Sequence, residues 1–142
     1  MPTYLKYGKI KGDVKKPPPY RSWIELQSLQ WGAGRNISSP TGASASRESS
    51  QPNVSEIVVT KVMDEVSSSL LYQEVLMGGN GVVAVIDFVR KDGSVYLRYT
   101  MSGTFISGYS ISGGGDKPTE SLSINFLNVD VKFDPGTPPP KF

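Results

Sequence analysis

The sequence predicts a mainly β protein: a small closed antiparallel barrel with one flanking α-helix and one long extended loop. Stretches of strand length with alternating side chains recur along the chain, and Asp92-Gly93 between two of them is typical of a hairpin turn. Only Ser67–Met77 has the spacing of an amphipathic helix, and only residues 32–52 form a long polar run. With 142 residues the chain fits one domain, 1–142.

The stretch Trp23–Gly32 predicts a strand whose two halves meet different surroundings. Side chains alternate across a strand, so Ile24 and Leu26 share a face with Ser28 and Gln30. The apolar character of that face therefore ends partway along the strand. We expect Ser28 and Gln30 to point away from the core at the far end of one barrel wall.

The remaining elements follow from the same alternation. The predicted strands are Thr3–Lys9, Val54–Met63, Val82–Arg90, Val95–Ile106 and Ser121–Phe133. Val82–Arg90 is apolar on both faces, which indicates a strand covered on both sides. In Val95–Ile106 we expect Phe105 to face inward. In Ser121–Phe133 the apolar residues switch from even-numbered to odd-numbered positions at Phe126–Leu127. This change predicts a β-bulge or a strand that leaves one sheet for another.

Two segments have little to bury. The run 32–52 is rich in serine and is longer than a connection inside a compact domain needs, so we expect a loop with a separate role. Residues 134–142 are proline-rich and are expected to form an extended, flexible tail.

Composition excludes several kinds of chemistry. The chain has no cysteine and no histidine, which removes disulfides, thiolate chemistry, the commonest general base and the commonest transition-metal ligand. We expect no metal and no cofactor. No signal-peptide or membrane-helix stretch is found in the sequence, so we expect no membrane insertion and no cleavable address.

Charge is unevenly distributed. Six cations against Asp13 give the first 21 residues a net charge of +5, which leaves −3 for the rest of the chain. Cations interleaved with Tyr4, Tyr7 and Tyr20 could contact nucleic acid, but they are more often a solvated face or the basic side of a subunit contact. We expect no nucleic-acid partner.

Carboxylates are the remaining catalytic candidates, and we expect no catalytic residue among them. Asp87 stands alone on an apolar strand and is interpreted as a residue at a subunit or helix contact, since no partner acid accompanies it at a suggestive spacing. A glycosidase-like hydrolase that uses Glu25 or Asp87 has the least support. A monomeric β-barrel that binds a small apolar or sugar ligand is the main alternative function, supported by Trp23 and Trp31.

Three segments in order resemble the haemolysin-coregulated protein (Hcp) family, the tube component of bacterial type VI secretion systems. They are WIELQSLQWG at Trp23–Gly32, NVSEIVVTKVMDEVSSSL at Asn53–Leu70 and PTESLSINFLNVDVKF at Pro118–Phe133, and the resemblance extends from Tyr4 to Phe133. It implies a β-barrel of two packed antiparallel sheets with one flanking helix. The run Pro17–Pro19 and the GGNG at Gly78–Gly81 depart from the family pattern.

The resemblance also implies a function. The chain would be a structural subunit that forms hexameric rings, which stack into a hollow tube. Its partners would be the spike and sheath proteins of the secretion system and effector proteins in the lumen. It would be made in the bacterial cytoplasm and then secreted. Ser28 and Gln30 are the candidates for the face that meets cargo. Candidates for ring or stacking contacts are Arg35, Arg47, Glu48 and Asp87.

Overall fold

A computed structural model describes residues 1–38, 48–54, 56–77 and 81–140 of the chain. It contains one α-helix, α1 (Ser68–Met77), and a short 3₁₀ turn at Pro18–Tyr20 within these residues. The strands are β1 (Thr3–Tyr7), β2 (Ile24–Leu26), β3 (Ser28–Gln30), β4 (Ala33–Ser38), β5 (Glu48–Val54), β6 (Ile57–Val62), β7 (Val82–Val89), β8 (Val95–Ser112), β9 (Thr119–Asn125) and β10 (Asn128–Phe133). The predicted mainly antiparallel β class with one helix is therefore confirmed.

Eight of the strands form one antiparallel sheet. Its order is β2-β1-β7-β8-β9-β6-β3, and β10 pairs with β8 beside this path. The hairpin predicted at Asp92-Gly93 joins β7 to β8, with Phe88 opposite Leu97. The 18-residue strand β8 pairs with β7 and β10 through its first half and with β9 through its second half.

The predicted strand Trp23–Gly32 is two strands separated by Gln27. β2 pairs with β1 at one end of the sheet, whereas β3 pairs with β6 at the other end. The Gln27 N–H donates to the carbonyl oxygen of Thr60 at 2.7 Å, which holds the connecting residue against β6. The change in polarity read from the sequence marks this corner. Hydrogen-bonded closure into a barrel is not shown, because the strand order of the described sheet is an open path.

A β-bulge in β8 explains why the predicted inward orientation of Phe105 is wrong. Thr104 pairs with Val82 and Met101 pairs with Ala84, so Ser102 and Gly103 together oppose a single residue of β7. The φ angle of Gly103 is +61°, a conformation that glycine adopts without strain. This shift reverses the alternation, so Thr104 is buried, and Phe105, which was expected to face inward, is 45% exposed.

The parity change at Phe126–Leu127 marks the end of one strand and the start of another. β9 stops at Asn125 and β10 begins at Asn128; β9 pairs with β6 and β8, while β10 returns along the first half of β8. The predicted departure from one pairing to another is confirmed at this position.

The polar run after Trp31 contains a two-stranded ribbon. β4 pairs antiparallel with β5, from Ala33 opposite Val54 to Ser38 opposite Glu48, with a register shift between Arg35 and Ile37. The predicted strand Val54–Met63 is therefore wrong at its start, because Val54 ends β5 and the next strand begins at Ile57.

Apolar side chains cover both faces of the β1–β7 region. The inner core packs between the two halves of the sheet and beneath α1, and it includes Leu5, Ile86, Met101, Leu122 and Leu71. A second cluster on the outer face holds Tyr4, Tyr20, Trp23, Val85 and Val89. The expected double coverage of β7 is thus provided by the core on one side and by the loop that carries Tyr20 on the other.

Candidate assembly surfaces and their buried anchors

Asp87 forms an ion pair inside the protomer. It is fully buried and accepts hydrogen bonds from Arg98 at both oxygens, from Nε to Oδ1 at 2.7 Å and from Nη2 to Oδ2 at 2.8 Å. The Tyr20 hydroxyl donates to Oδ2 at 2.8 Å. Burial and the bond to Asp87 raise the pKa of Tyr20, and the same ion pair raises the pKa of Arg98. The expected subunit or helix contact at Asp87 is thus replaced by an internal contact, because the carboxylate has no exposed surface.

Arg98 also holds the C-terminal tail. Its Nη1 donates to the Thr137 hydroxyl at 3.0 Å and to the carbonyl oxygen of Pro138 at 3.4 Å. Asp134, at the start of the tail, forms an ion pair with Arg90, with 2.5 Å between Oδ1 and Nη2. The tail that was expected to be flexible therefore makes three contacts with Arg90 and Arg98.

A second buried ion pair anchors the start of α1. Lys61 on β6 and Glu120 on β9 are both buried, and Nζ lies 2.5 Å from Oε1. Glu120 also accepts hydrogen bonds from the hydroxyls of Ser68, at 2.7 Å, and of Tyr109. Burial opposes ionisation of Glu120, but these bonds outweigh it and hold the pKa of the carboxyl below its ordinary value.

Asp64 caps the same end of the helix. Its side chain accepts hydrogen bonds from the backbone N–H groups of Val66 and Ser67 and from the Ser67 hydroxyl, and it lies 3.2 Å from Lys61. Burial raises the pKa of Asp64, but the bonds from Ser67 and the charge of Lys61 lower it overall. Lys61 thus lies between two carboxylates, those of Asp64 and Glu120, and its Nζ also donates to the Ser68 hydroxyl at 3.3 Å.

The face predicted to meet cargo is exposed. Ser28 and Gln30 alternate on β3 with the half-buried Leu29, as the sequence predicts, and Ser28 shares a 2.6 Å hydrogen bond with the Thr60 hydroxyl on β6. An open groove of about 760 Å³ lies here between Gln30, Trp31 and Val58. Its position in a ring stays a prediction.

Two of the stacking candidates are in the β4–β5 ribbon. Arg35 lies in β4 opposite Pro52, and Glu48 is the first residue of β5, opposite Ser38. Arg47 lies outside the described residues. Their contacts with other subunits stay predictions.

The two tryptophans are packing residues. Trp23 is buried and meets the Tyr20 ring edge-on at 5.0 Å. The Trp31 ring packs against the rings of Tyr99 and Phe126, with centroid distances of 5.1 Å and 6.3 Å. Neither ring lines an enclosed apolar cavity of the kind that the alternative ligand-binding function requires.

Two surfaces expose large apolar side chains. The helix surface consists of Tyr72 and Leu76, which are one turn apart on the same face of α1. The β10 surface consists of Val131 and Phe133 on β10 and Leu127 just before it, and among the described strands β10 pairs with β8 alone. Exposed large apolar side chains that share a face are candidates for protein association.

No group of three or more acidic, histidine or cysteine side chains is placed to hold a metal ion within the described ranges. The described part of the chain also contains no helix long and apolar enough to cross a membrane.

Comparison with known proteins gives one family and one fold. The family model described as "Type VI secretion system effector, Hcp" matches residues 4–133. No curated protein sequence matches the chain significantly.

Solved structures share the fold at low sequence identity. A type six secretion system protein is 23% identical with a TM-score of 0.81, over 93% of this chain and 83% of its own. Hcp1 from Salmonella typhimurium is 19% identical with a TM-score of 0.77, and the match covers 93% of this chain and 85% of Hcp1. The six-fold symmetrised baseplate of the anti-feeding prophage contains a chain that is 11% identical with a TM-score of 0.60, over 94% and 93%.

The family match covers nearly all of the described sheet, from β1 to the last residue of β10, and the resemblance read from three segments is confirmed over the same residues. The fold of the solved Hcp structures agrees with it. The chain belongs to the Hcp family of secreted type VI proteins and is a subunit of the type VI secretion tube.

Proposed function

We propose that six copies of this chain close into a ring, that rings stack into a hollow tube, and that the lumen carries effector proteins. The observation that carries the proposal is the pair of separate apolar surfaces, on α1 and along β10, because a monomer has no use for both. A ring joins two different surfaces of each copy in a head-to-tail contact, which closes when the rotation is a whole fraction of a turn. The six-fold symmetry of the anti-feeding prophage baseplate supports the number six.

Mass in solution tests the ring. We expect light scattering at high micromolar concentration to give six times the mass of the chain, and electron micrographs to show annuli. Leu76→Ser on the helix surface and Leu127→Ser on the β10 surface should each lower the ring fraction without unfolding the subunit. Glu65→Ser, an exposed polar change just before the helix, is the matched control. A monomeric wild-type protein without annuli would contradict the proposal.

We assign the β4–β5 ribbon to contacts between subunits or between rings. It pairs only with itself among the described strands, and an isolated two-stranded ribbon is marginally stable in water. Arg35, Arg47 and Glu48 would pair there with charges of a neighbour, each pair contributing about 0–1 kcal/mol but repeated around the ring. The paired residues Ala33 and Val54 form the base of the ribbon, so residues 34–53 can be replaced by a two-residue Gly/Ser turn.

The shortened variant separates folding from assembly. We expect a folded subunit, by circular dichroism and thermal unfolding, with weakened rings or no tubes by light scattering and microscopy. Unchanged assembly would reduce the ribbon to an insertion without a role in contacts. Unfolding would show that the ribbon stabilises the subunit itself.

Ser28 and Gln30 would line the lumen as small neutral groups. Gln30→Arg should leave the fold and the ring mass unchanged and alter the retention of effectors in pull-down from purified rings, with Gln30→Asn as the conservative control. Loss of the ring in Gln30→Arg would mean that β3 lies in a subunit contact. Catalysis has no part in this proposal, and the subunit would be exported from the cytoplasm by the secretion machine.

A further inference from the structure

The basic N-terminal segment and the proline-rich tail enclose a cleft of about 570 Å³. We call it the Lys6 cleft; its lining residues are Lys6, Lys11, Pro18, Pro19, Arg21, Ser22, Trp23, Pro138, Pro139 and Pro140. All of its charged residues are cations, and no carboxylate lines it. The family match ends at residue 133, so one wall of the cleft lies outside the matched segment.

Lys6 is a largely buried residue whose ammonium group has no counter-ion among the described residues. It lies on β1 opposite Val85 of β7 and is 8% exposed, yet its side chain forms no hydrogen bond or ion pair with any residue that the structure describes. Burial and the charge of Lys11 lower the pKa of the Lys6 ammonium. The stem of Lys6 is buried, while its Nζ keeps contact with solvent in the cleft. The ammonium is therefore available to a negative group that enters the cleft.

Neighbouring cations strengthen this conclusion. Lys11 and Arg21 are exposed at the mouth of the cleft and likewise have no hydrogen-bond or ion-pair partner for their side chains within the described residues. Glu25 is two residues from Trp23 on the adjacent strand, but it lines a different cleft with Asp13 and Asp64. The three cations are thus free to contact an external anion.

The lining determines which anion fits. Five of the ten lining residues are prolines, which have no backbone N–H. A phosphate has several oxygens that require donors, and it is commonly bound by clustered backbone N–H groups, which this cleft lacks. A carboxylate needs donors for only two oxygens, which Lys6 and one of the exposed cations supply. The proline rings and Trp23 offer an apolar wall to the rest of an extended chain.

We propose that the Lys6 cleft binds a carboxylate side chain on an extended acidic segment of a partner protein, with Lys6 as the central contact. Three consecutive prolines of the tail, Pro138 to Pro140, line the cleft, which suits an extended segment. This inference does not depend on ring formation, and light scattering on the same samples monitors the two properties separately.

Peptide binding tests the proposal. The probe is a fluorescein-labelled eight-residue peptide of alternating Glu and Leu, titrated with the full chain and followed by fluorescence anisotropy. We expect Lys6→Met to weaken binding by roughly tenfold or more, because a charge-assisted hydrogen bond is lost while the length of the stem is kept. Lys9→Met is the matched control, since Lys9 is an exposed cation of the same segment outside the cleft lining, and it should change binding less than about twofold.

The two tryptophans provide a test in the wild-type protein. With 5-fluorotryptophan incorporated, peptide binding should shift the ¹⁹F signal of Trp23, which lines the cleft. The ¹⁹F signal of Trp31, which lines the groove beside β3, should stay unchanged. Equal binding of a Gln/Leu peptide, equal effects of Lys6→Met and Lys9→Met, or a shift of Trp31 alone would each overturn the proposal. It would also fail if a single-stranded oligonucleotide or inorganic phosphate displaced the peptide at lower concentration than free glutamate-rich peptide does.

Discussion

Replacing Asp87 with asparagine should destabilise the subunit far more than its small change in volume suggests. The carboxylate is fully buried and accepts three hydrogen bonds, two from Arg98 and one from Tyr20. Asparagine keeps the shape but removes the charge, and its NH₂ group faces guanidinium donors. The guanidinium of Arg98, itself 8% exposed, is then left without its counter-ion.

The magnitude follows from the burial of both partners. Removing one member of a buried pair destabilises a protein by about 3–5 kcal/mol. For a chain of this length, each kcal/mol lowers the unfolding temperature by roughly 2–4 °C, so the expected decrease is on the order of 6–20 °C. The chain provides a matched control in Asp130→Asn, because Asp130 is 62% exposed and lies 3.8 Å from Lys132. Such a pair contributes about 0–1 kcal/mol.

Thermal unfolding by circular dichroism at pH 7, with urea unfolding as a second measure, checks the prediction. All variants are compared at one protein concentration, since assembly makes the unfolding temperature depend on concentration. The double variant Asp87→Asn/Arg98→Met should recover part of the loss, because it no longer leaves a buried charge unpaired. Similar unfolding temperatures for Asp87→Asn and Asp130→Asn would refute the reasoning.

Two further predictions concern the stability of the subunit at acid pH and the close packing of its backbone at Gly12. The pKa of the Glu120 carboxyl is held below its ordinary value, so its contribution to the free energy of unfolding is complete above the unfolded pKa of about 4.3 and is lost as the pH falls toward the folded pKa. Glu120→Gln should therefore lower the unfolding temperature at pH 7 and make that temperature fall less steeply below about pH 5. Parallel curves of unfolding temperature against pH for the two proteins would contradict this. A Cβ at Gly12 would lie 2.2 Å from the carbonyl oxygen of Trp23, so Gly12→Ala should destabilise by at least about 2 kcal/mol in urea unfolding. Gly113→Ala, where the Cβ meets nothing within 4 Å, should stay within about 0.5 kcal/mol, and equal effects would be the contrary result.

Local patterns predicted the elements and several of the corners. The polarity change around Gln27 and the parity change at Phe126–Leu127 both mark points where a strand leaves one partner for another. Alternation records which side of a strand is buried, so it also records where the burial changes side. Phe105 was misassigned because the alternation was continued across Gly103, although a lone glycine inside a strand is itself a signal of a bulge.

The buried charges could not be predicted in the same way. Lys61 and Glu120 are 59 residues apart in the chain, and Arg98 contacts the tail at Thr137 and Pro138 about 40 residues beyond it. A single sequence does not state which distant strands become neighbours, and a charge in an alternating strand is usually exposed. The lone acid on an apolar strand at Asp87 was the available signal for one of these pairs; Lys61 in the apolar strand β6 was a similar signal for the other.

Gln27 has a mechanical consequence for a sheet with two free ends. β2 and β3 terminate opposite ends of the strand order, yet the chain passes from one to the other through this single residue. Consecutive Cα atoms are about 3.8 Å apart, so the two end strands cannot move away from each other by more than a few ångströms. A force that peels β3 from β6 is therefore transmitted at once to the pairing of β2 with β1. In a tube that is driven out of a cell, the sheet would resist tearing at both ends together rather than unrolling from one.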